Sequence, residues 1–185
     1  MATQSVYVDA MRCVTSEDSS DDIYLIMFRG RTVPPFNTGT ASKGPGNFWT
    51  DFDDGELWNQ DILMVQFFPD AVYAVAVVER DGNKDITGDA LDGLSSALDA
   101  KWKSELAAQA LAGHLPTSEV SRAAAFEAVK KTLNGIAFGV PWFIADDDHI
   151  GTTQRLIIAP GQTPTLTFSN SGGGKYRVRF KVASP

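Results

Sequence analysis

Two consecutive segments with helical periodicity interrupt a chain that otherwise carries strand patterns, and this order limits the possible folds. Between residues 89 and 111, apolar side chains recur every three or four positions, which predicts an amphipathic helix. A second helix is predicted from Ser118, which can cap it, to Asn134, which precedes a glycine. Because strands and helices do not alternate along the chain, a parallel doubly wound sheet is disfavoured.

The segments on either side of these helices have the apolar content and the alternation that are typical of β-strands. Strands are predicted at residues 5–14, 23–28, 62–68, 72–79, 154–158, 163–168 and 175–182. Residues 30–47 are rich in Gly, Pro, Thr and Ser and are predicted to form a long loop. We therefore predict a single domain over residues 1–185, a mainly antiparallel β-sandwich with a two-helix insertion at about residues 88–134, before the last three strands.

Acidic residues form clusters at breaks between the predicted elements. The clusters lie at residues 17–22, 51–56, 79–92 and 146–148. Loops of a sandwich collect at its two ends, and carboxylates that meet there repel one another unless protons, basic side chains or a cation relieve the charge. Few basic residues interleave the clusters, which favours calcium, a cation that takes oxygen ligands. The competing interpretation is a set of solvated turns, because Asp, Asn and Gly are common turn residues.

One stretch has part of the pattern of the twelve-residue calcium loop. If Asp81 is position one, Asn83, Asp85 and Asp89 fall at positions three, five and nine, and a predicted helix follows. The sixth position of such loops needs glycine for a sharp turn, but this chain has Ile86 there. The element before the loop is also a predicted strand, so the match is partial.

The same stretch resembles a loop of another calcium-binding fold. The segment 75–88 resembles the third calcium loop of calcium- and lipid-binding β-sandwich domains of the synaptotagmin kind. Its sequence is Val-Ala-Val-Val-Glu-Arg-Asp-Gly-Asn-Lys-Asp-Ile-Thr-Gly. The acidic residues 17–22, which precede the predicted strand at 23–28, resemble the first loop of those domains. The resemblance covers roughly residues 5–90 and implies a calcium site where the two loops meet.

The chain also departs from that family, because Glu79 replaces an aspartate and a helix follows where a strand is expected. No basic groove for phosphoinositides is evident, so the resemblance does not extend to lipid binding. The two calcium patterns together predict the following ligands: Glu17, Asp18, Asp21, Asp22, Glu79, Asp81, Asn83, Asp85 and Asp89.

Two other functions compete with a calcium module. Trp49 and Trp58 flank an acidic loop, where exposed aromatic rings would stack on a carbohydrate or contact a receptor, as in a toxin or adhesin. Burial of these rings in the core is the alternative. His149 follows Asp148, which suggests an acid-oriented base of a small hydrolase, although no Gly-x-Ser-x-Gly motif supplies a nucleophile.

Charge and the N-terminal sequence limit the remaining classes. The net charge of −7 argues against nucleic-acid binding and against unaided binding to anionic membranes. No basic region followed by an apolar run begins the chain, so we expect a cytoplasmic location, or export by a route that needs no signal peptide. The prediction is a non-enzymatic calcium-binding β-sandwich module used for binding or assembly.

Overall fold

The computed structural model describes residues 3–16, 21–45, 48–80, 88–135 and 148–184. The elements in chain order are β1 (Ser5–Thr15), β2 (Ile23–Arg31), β3 (Thr38–Lys43), β4 (Leu57–Trp58), β5 (Ile62–Gln66), β6 (Ala71–Glu79), α1 (Gly88–Leu111), α2 (Glu119–Asn134), β7 (Asp148–His149), β8 (Gln154–Leu156), β9 (Thr165–Ser169) and β10 (Lys175–Ala183).

These strands form two five-stranded antiparallel sheets in the described part of the chain. In the first sheet, β1 pairs with β10 on one side and with β4 and β5 on the other, and β9 pairs with β10. In the second sheet, β2 and β6 lie at the centre, β3 flanks β2, and β7 and β8 flank β6. Apolar side chains of both sheets, such as Met11 and Phe180 against Leu25 and Val75, share one core. The predicted mainly β fold is therefore confirmed.

The helices add a third layer on the other face of the second sheet. Leu98 and Trp102 of α1 and Val129 of α2 pack with Ile26 and Ala76 in a second core cluster. Because both faces of the second sheet are covered, every residue of β2 except the last and every residue of β6 except the first is buried. Their apolar runs in the sequence reflect this two-sided burial.

Close packing fixes α1 against the end of β2. The indole Nε1 of Trp102 donates a hydrogen bond to the backbone oxygen of Arg31 over 3.0 Å. A Cβ atom at Gly30 would lie 2.4 Å from the Trp102 ring, so only glycine allows this approach without displacement. No helix among the described residues is long and apolar enough to cross a membrane.

The two helices begin and end where the sequence predicts the insertion, at residues 88 and 134. The predicted loop at 30–47 is wrong in part, because β3 pairs there with β2 over six registered residues. The short strand β7, which the sequence does not predict, also follows α2, so four strands come after the helices in the described part of the chain. β7 has only two residues, too few to give a periodic signal.

Candidate functional site at the acidic end of the sandwich

Residues from several of the acidic clusters lie at one end of the second sheet, which we call the acidic end. Glu79, the last residue of β6, pairs with Ile23, the first residue of β2, and on its other side with Asp148 of β7. The first residue of β2, the last residue of β6 and the first residue of β7 therefore lie side by side at this end. The loop at 51–56 also lies here, because Phe52 forms a β-bridge with Asp21.

Asp21 is a buried carboxylate at this end, with 1% of its surface exposed. It accepts a hydrogen bond from the hydroxyl of Tyr176, which belongs to β10 of the first sheet. Burial, together with this bond to Asp21, raises the pKa of Tyr176 well above its usual value. Asp21 therefore joins the two sheets from the interior.

Asp22 has a different environment, because the guanidinium group of Arg80 forms an ion pair with its carboxylate. The other oxygen of Asp22 accepts a hydrogen bond from the backbone N–H of Asp51 over 3.0 Å. The backbone N–H of Arg80 also donates to the carbonyl oxygen of Asp22 over 2.8 Å. Arg80 thus supplies one of the positive charges that the acidic end requires, and Asp22 connects three segments.

The loop at 51–56 uses its carboxylates to satisfy turn N–H groups. Asp54 accepts hydrogen bonds from the backbone and the hydroxyl of Ser16, and these bonds lower the pKa of Asp54. Glu56 accepts from the backbone N–H of Asp53 over 3.1 Å. Such hydrogen bonds are typical of acidic side chains in turns, and for this loop they agree with the competing interpretation of the acidic clusters as solvated turns.

The remaining predicted calcium ligands divide into described and undescribed residues. Glu79 is 4% exposed at the end of β6, whereas Asp89 is exposed in the first turn of α1, where a negative charge is favourable. Five predicted ligands lie outside the described residues, namely Glu17, Asp18, Asp81, Asn83 and Asp85. Within the ranges that the structure describes, no group of three or more His, Cys, Asp or Glu side chains is arranged to hold a metal ion.

The two tryptophans at this end pack against the core. Trp49 is 1% exposed and belongs to the core between the sheets, with its backbone at a φ of 51°. Trp58 is half-buried and packs edge-on against Phe48, with ring centroids 5.7 Å apart. The expectation of exposed stacking rings is therefore corrected for Trp49, because its ring fills the core and leaves no face for a carbohydrate.

The side chain of His149 contacts the backbone two residues further along the chain. Its Nδ1 atom lies 2.8 Å from the carbonyl oxygen of Gly151, and burial lowers the pKa of the imidazole. The Nε2 atom has no hydrogen-bond partner among the described residues.

The thiol of Cys13 is fully buried in the first sheet, and burial raises its pKa to about 11, so it is not a reactive nucleophile.

The contact between Tyr176 and Asp21 cannot be predicted from the sequence. The alternation of β10 indicates that Tyr176 faces inward, but no local pattern indicates which polar group it meets.

No protein-family model matches the chain, and the curated proteins contain no match to it either.

Proposed function

We propose that the chain is a non-enzymatic calcium-binding β-sandwich module that uses its acidic end for binding or assembly. The observation that supports this proposal best is the register of Ile23, Glu79 and Asp148 on three neighbouring strands. Glu79 lies beside the start of β2, which directly follows Asp21 and Asp22, and all three are among the predicted ligands.

The acids that follow β6 in the sequence support a bound cation, because the two described aspartates before β2 already have partners. Arg80 neutralises Asp22, and the hydroxyl of Tyr176 stabilises Asp21, while further acids of residues 79–92 follow directly after β6. Carboxylates that share one site repel one another, and calcium relieves this repulsion while accepting oxygen ligands in a flexible geometry. Glu79, Asp81, Asn83 and Asp85 are the proposed principal ligands.

The function is tested by thermal unfolding with and without calcium. A ligand at a hundredfold excess over its Kd stabilises the folded state by about 2.7 kcal/mol. For a domain of this size, that gain raises the melting temperature by about 5–10 °C. Magnesium at the same concentration is expected to do less, because it demands a tighter octahedral site.

A double variant assigns any calcium effect to the proposed ligands. Asp81→Asn with Asp85→Asn should abolish the calcium shift. The control, Glu105→Gln with Glu127→Gln, removes the same formal charge from the two helices and should retain the shift. If calcium leaves the melting temperature of the wild type unchanged, the acids form a solvated turn and the proposal fails.

The two competing functions are tested in parallel on the same protein. A glycan array addresses carbohydrate binding, for which Trp58 is the remaining half-buried aromatic candidate. A panel of ester and peptide substrates addresses hydrolysis, with His149→Gln as the variant that should remove any activity found.

A further inference from the structure

A cavity lies at the end of the second sheet opposite the acidic end. Its volume is about 140 Å³, and it is bounded by the start of β6, the end of β8 and the first turn of α2. Phe68, Leu156 and Ile157 contribute apolar walls, and Arg122 and Arg155 contribute guanidinium groups. Two arginines in one small cavity are unusual in a protein with a net charge of −7.

The two arginines differ in their partners. Arg155 forms a bidentate ion pair with Glu119. The hydrogen bond from Arg155 is the largest cause that lowers the pKa of Glu119, and the charges of Arg155 and Arg122 add to it against the opposing effect of burial. Arg122 forms no ion pair with any described residue, and its Nε atom is buried without a hydrogen-bond partner in the described part of the chain. A buried donor of this kind is costly unless a ligand or water accepts its hydrogen bond.

Two further arginines lie beside the cavity wall. The guanidinium groups of Arg29 and Arg31 lie over the ring of Phe68, 4.9 Å and 4.4 Å from its centroid. Arg31 also forms an ion pair with Asp70 at 3.0 Å. Arg29 is 8% exposed, and its guanidinium group donates to the carbonyl oxygen of Thr38.

The charges around this cavity do not cancel. Arg122 and Arg155 line it and Glu119 pairs with Arg155, so two minus one leaves one positive charge. A phosphate group on a ligand carries a charge of about −1.5 to −2 at neutral pH and has three acceptor oxygens, so it can accept hydrogen bonds from both guanidinium groups.

We propose that this cavity binds a phosphate group, either as the free ion or as the phosphomonoester of a larger ligand, through Arg122 and Arg155. Arginine suits this role because its planar fork of N–H groups matches phosphate oxygens in pairs. The size is also sufficient, because a cavity of about 150 Å³ can hold a benzene molecule. The site is independent of calcium binding at the acidic end.

The test is calorimetric titration in calcium-free buffer with inorganic phosphate and, separately, with phosphoserine.

Ile157, which is 75% exposed and lines the cavity, allows a change that leaves the core intact. Ile157→Glu places a negative charge at the site and should weaken binding, whereas Ile157→Gln should not. Arg122→Gln should weaken binding about tenfold or more, the usual effect of losing a charge-assisted hydrogen bond. Arg177→Gln, at an exposed site in the first sheet, is the charge-matched control.

The outcomes separate the alternatives. Binding of inorganic phosphate that weakens in the Arg122→Gln and Ile157→Glu variants, but not in the controls, supports the site. Phosphoserine that binds at least as tightly assigns the phosphate group to a larger ligand, and binding of inorganic phosphate alone assigns a free-ion site. The proposal is overturned if neither probe binds at millimolar concentration, or if Arg122→Gln and Arg177→Gln bind equally well.

Discussion

The hydroxyl of Tyr176 donates a hydrogen bond to the carboxylate of Asp21, and both side chains are buried. Tyr176 belongs to β10 of the first sheet, while Asp21 precedes β2 of the second sheet by two residues. This polar contact therefore joins the two sheets at the acidic end, inside an otherwise apolar core. Removal of the Tyr176 hydroxyl leaves the buried carboxylate of Asp21 without one of its hydrogen-bond donors.

Replacing Tyr176 by Phe should lower the free energy of unfolding by about 1.5–3 kcal/mol, the usual range for a hydrogen bond to a charged group. The shape of the ring is kept, so the change reports on the hydroxyl. Urea denaturation measures the effect. Tyr7→Phe, at a half-buried position of β1, is the control and should change stability by no more than about 0.5 kcal/mol. Equal losses in the two variants would contradict the role assigned to this contact.

Gly30→Ala should destabilise the protein by about 1–3 kcal/mol, because the added methyl group meets the Trp102 ring and the packing must shift. Thermal unfolding, with tryptophan fluorescence as the signal, follows the change. Gly88→Ala is the matched control, since a Cβ atom there meets no atom within 4 Å. Gly88 begins α1, so alanine should be neutral or stabilising. A Gly30→Ala variant as stable as the wild type would show that α1 can move away from the sheet.

Ser118→Ala should cost about 1 kcal/mol of stability, because Ser118 caps α2 by accepting a hydrogen bond from the backbone N–H of Ser121. Ser104→Ala is the control within a helix, where the hydroxyl bonds only to the carbonyl oxygen of Lys101 among the described residues. Chemical denaturation followed by circular dichroism at the helical band compares the two. A loss in Ser104→Ala as large as that in Ser118→Ala would argue against a specific cap.

His149 should make the folded protein less stable in mild acid. Burial lowers the pKa of the folded imidazole below its usual value of 6.5, so the unfolded chain binds the proton more readily. Stability should therefore fall as the pH drops from about 7.5 through 6.5 toward the lower folded pKa. The wild type and His149→Gln, compared by urea denaturation between pH 7.5 and 5, should differ in this slope.

A control for this pH effect is His114→Gln, which removes the other histidine from the exposed connection between the helices. Its slope should match that of the wild type. If His149→Gln has the wild-type slope as well, groups other than this imidazole cause the pH dependence.

The parts of the fold that the sequence predicts well are those with a strong local period. The stripe of Leu94, Leu98 and Trp102 predicts α1, and the alternation of β10 predicts its inward and outward faces. β3 escapes prediction because it is an edge strand whose residues, Thr-Gly-Thr-Ala-Ser-Lys, are all half-buried and show no apolar alternation. Its backbone pairing with β2, which the sequence does not encode locally, defines it.

The candidate site is less predictable because it depends on register between distant strands. The sequence predicts acidic residues at loops, but only the pairing of Ile23 with Glu79 shows that Asp22 and Glu79 lie at the same end of the sheet. Burial of Trp49 depends on a turn with positive φ, which an acidic, Gly-containing stretch does not reveal. The phosphate cavity has no local signal at all, because Arg122 and Arg155 come from a helix and a strand that are far apart in sequence.

The placement of charged groups along the strands has a consequence for how the molecule approaches a partner. Acidic residues such as Asp22 and Glu79 lie where β6 ends, and the arginines around Phe68 lie where β6 begins. These side chains therefore contribute an electric dipole roughly parallel to this strand. In the field of a charged surface it experiences a torque that turns one end forward before contact, and salt weakens this preorientation.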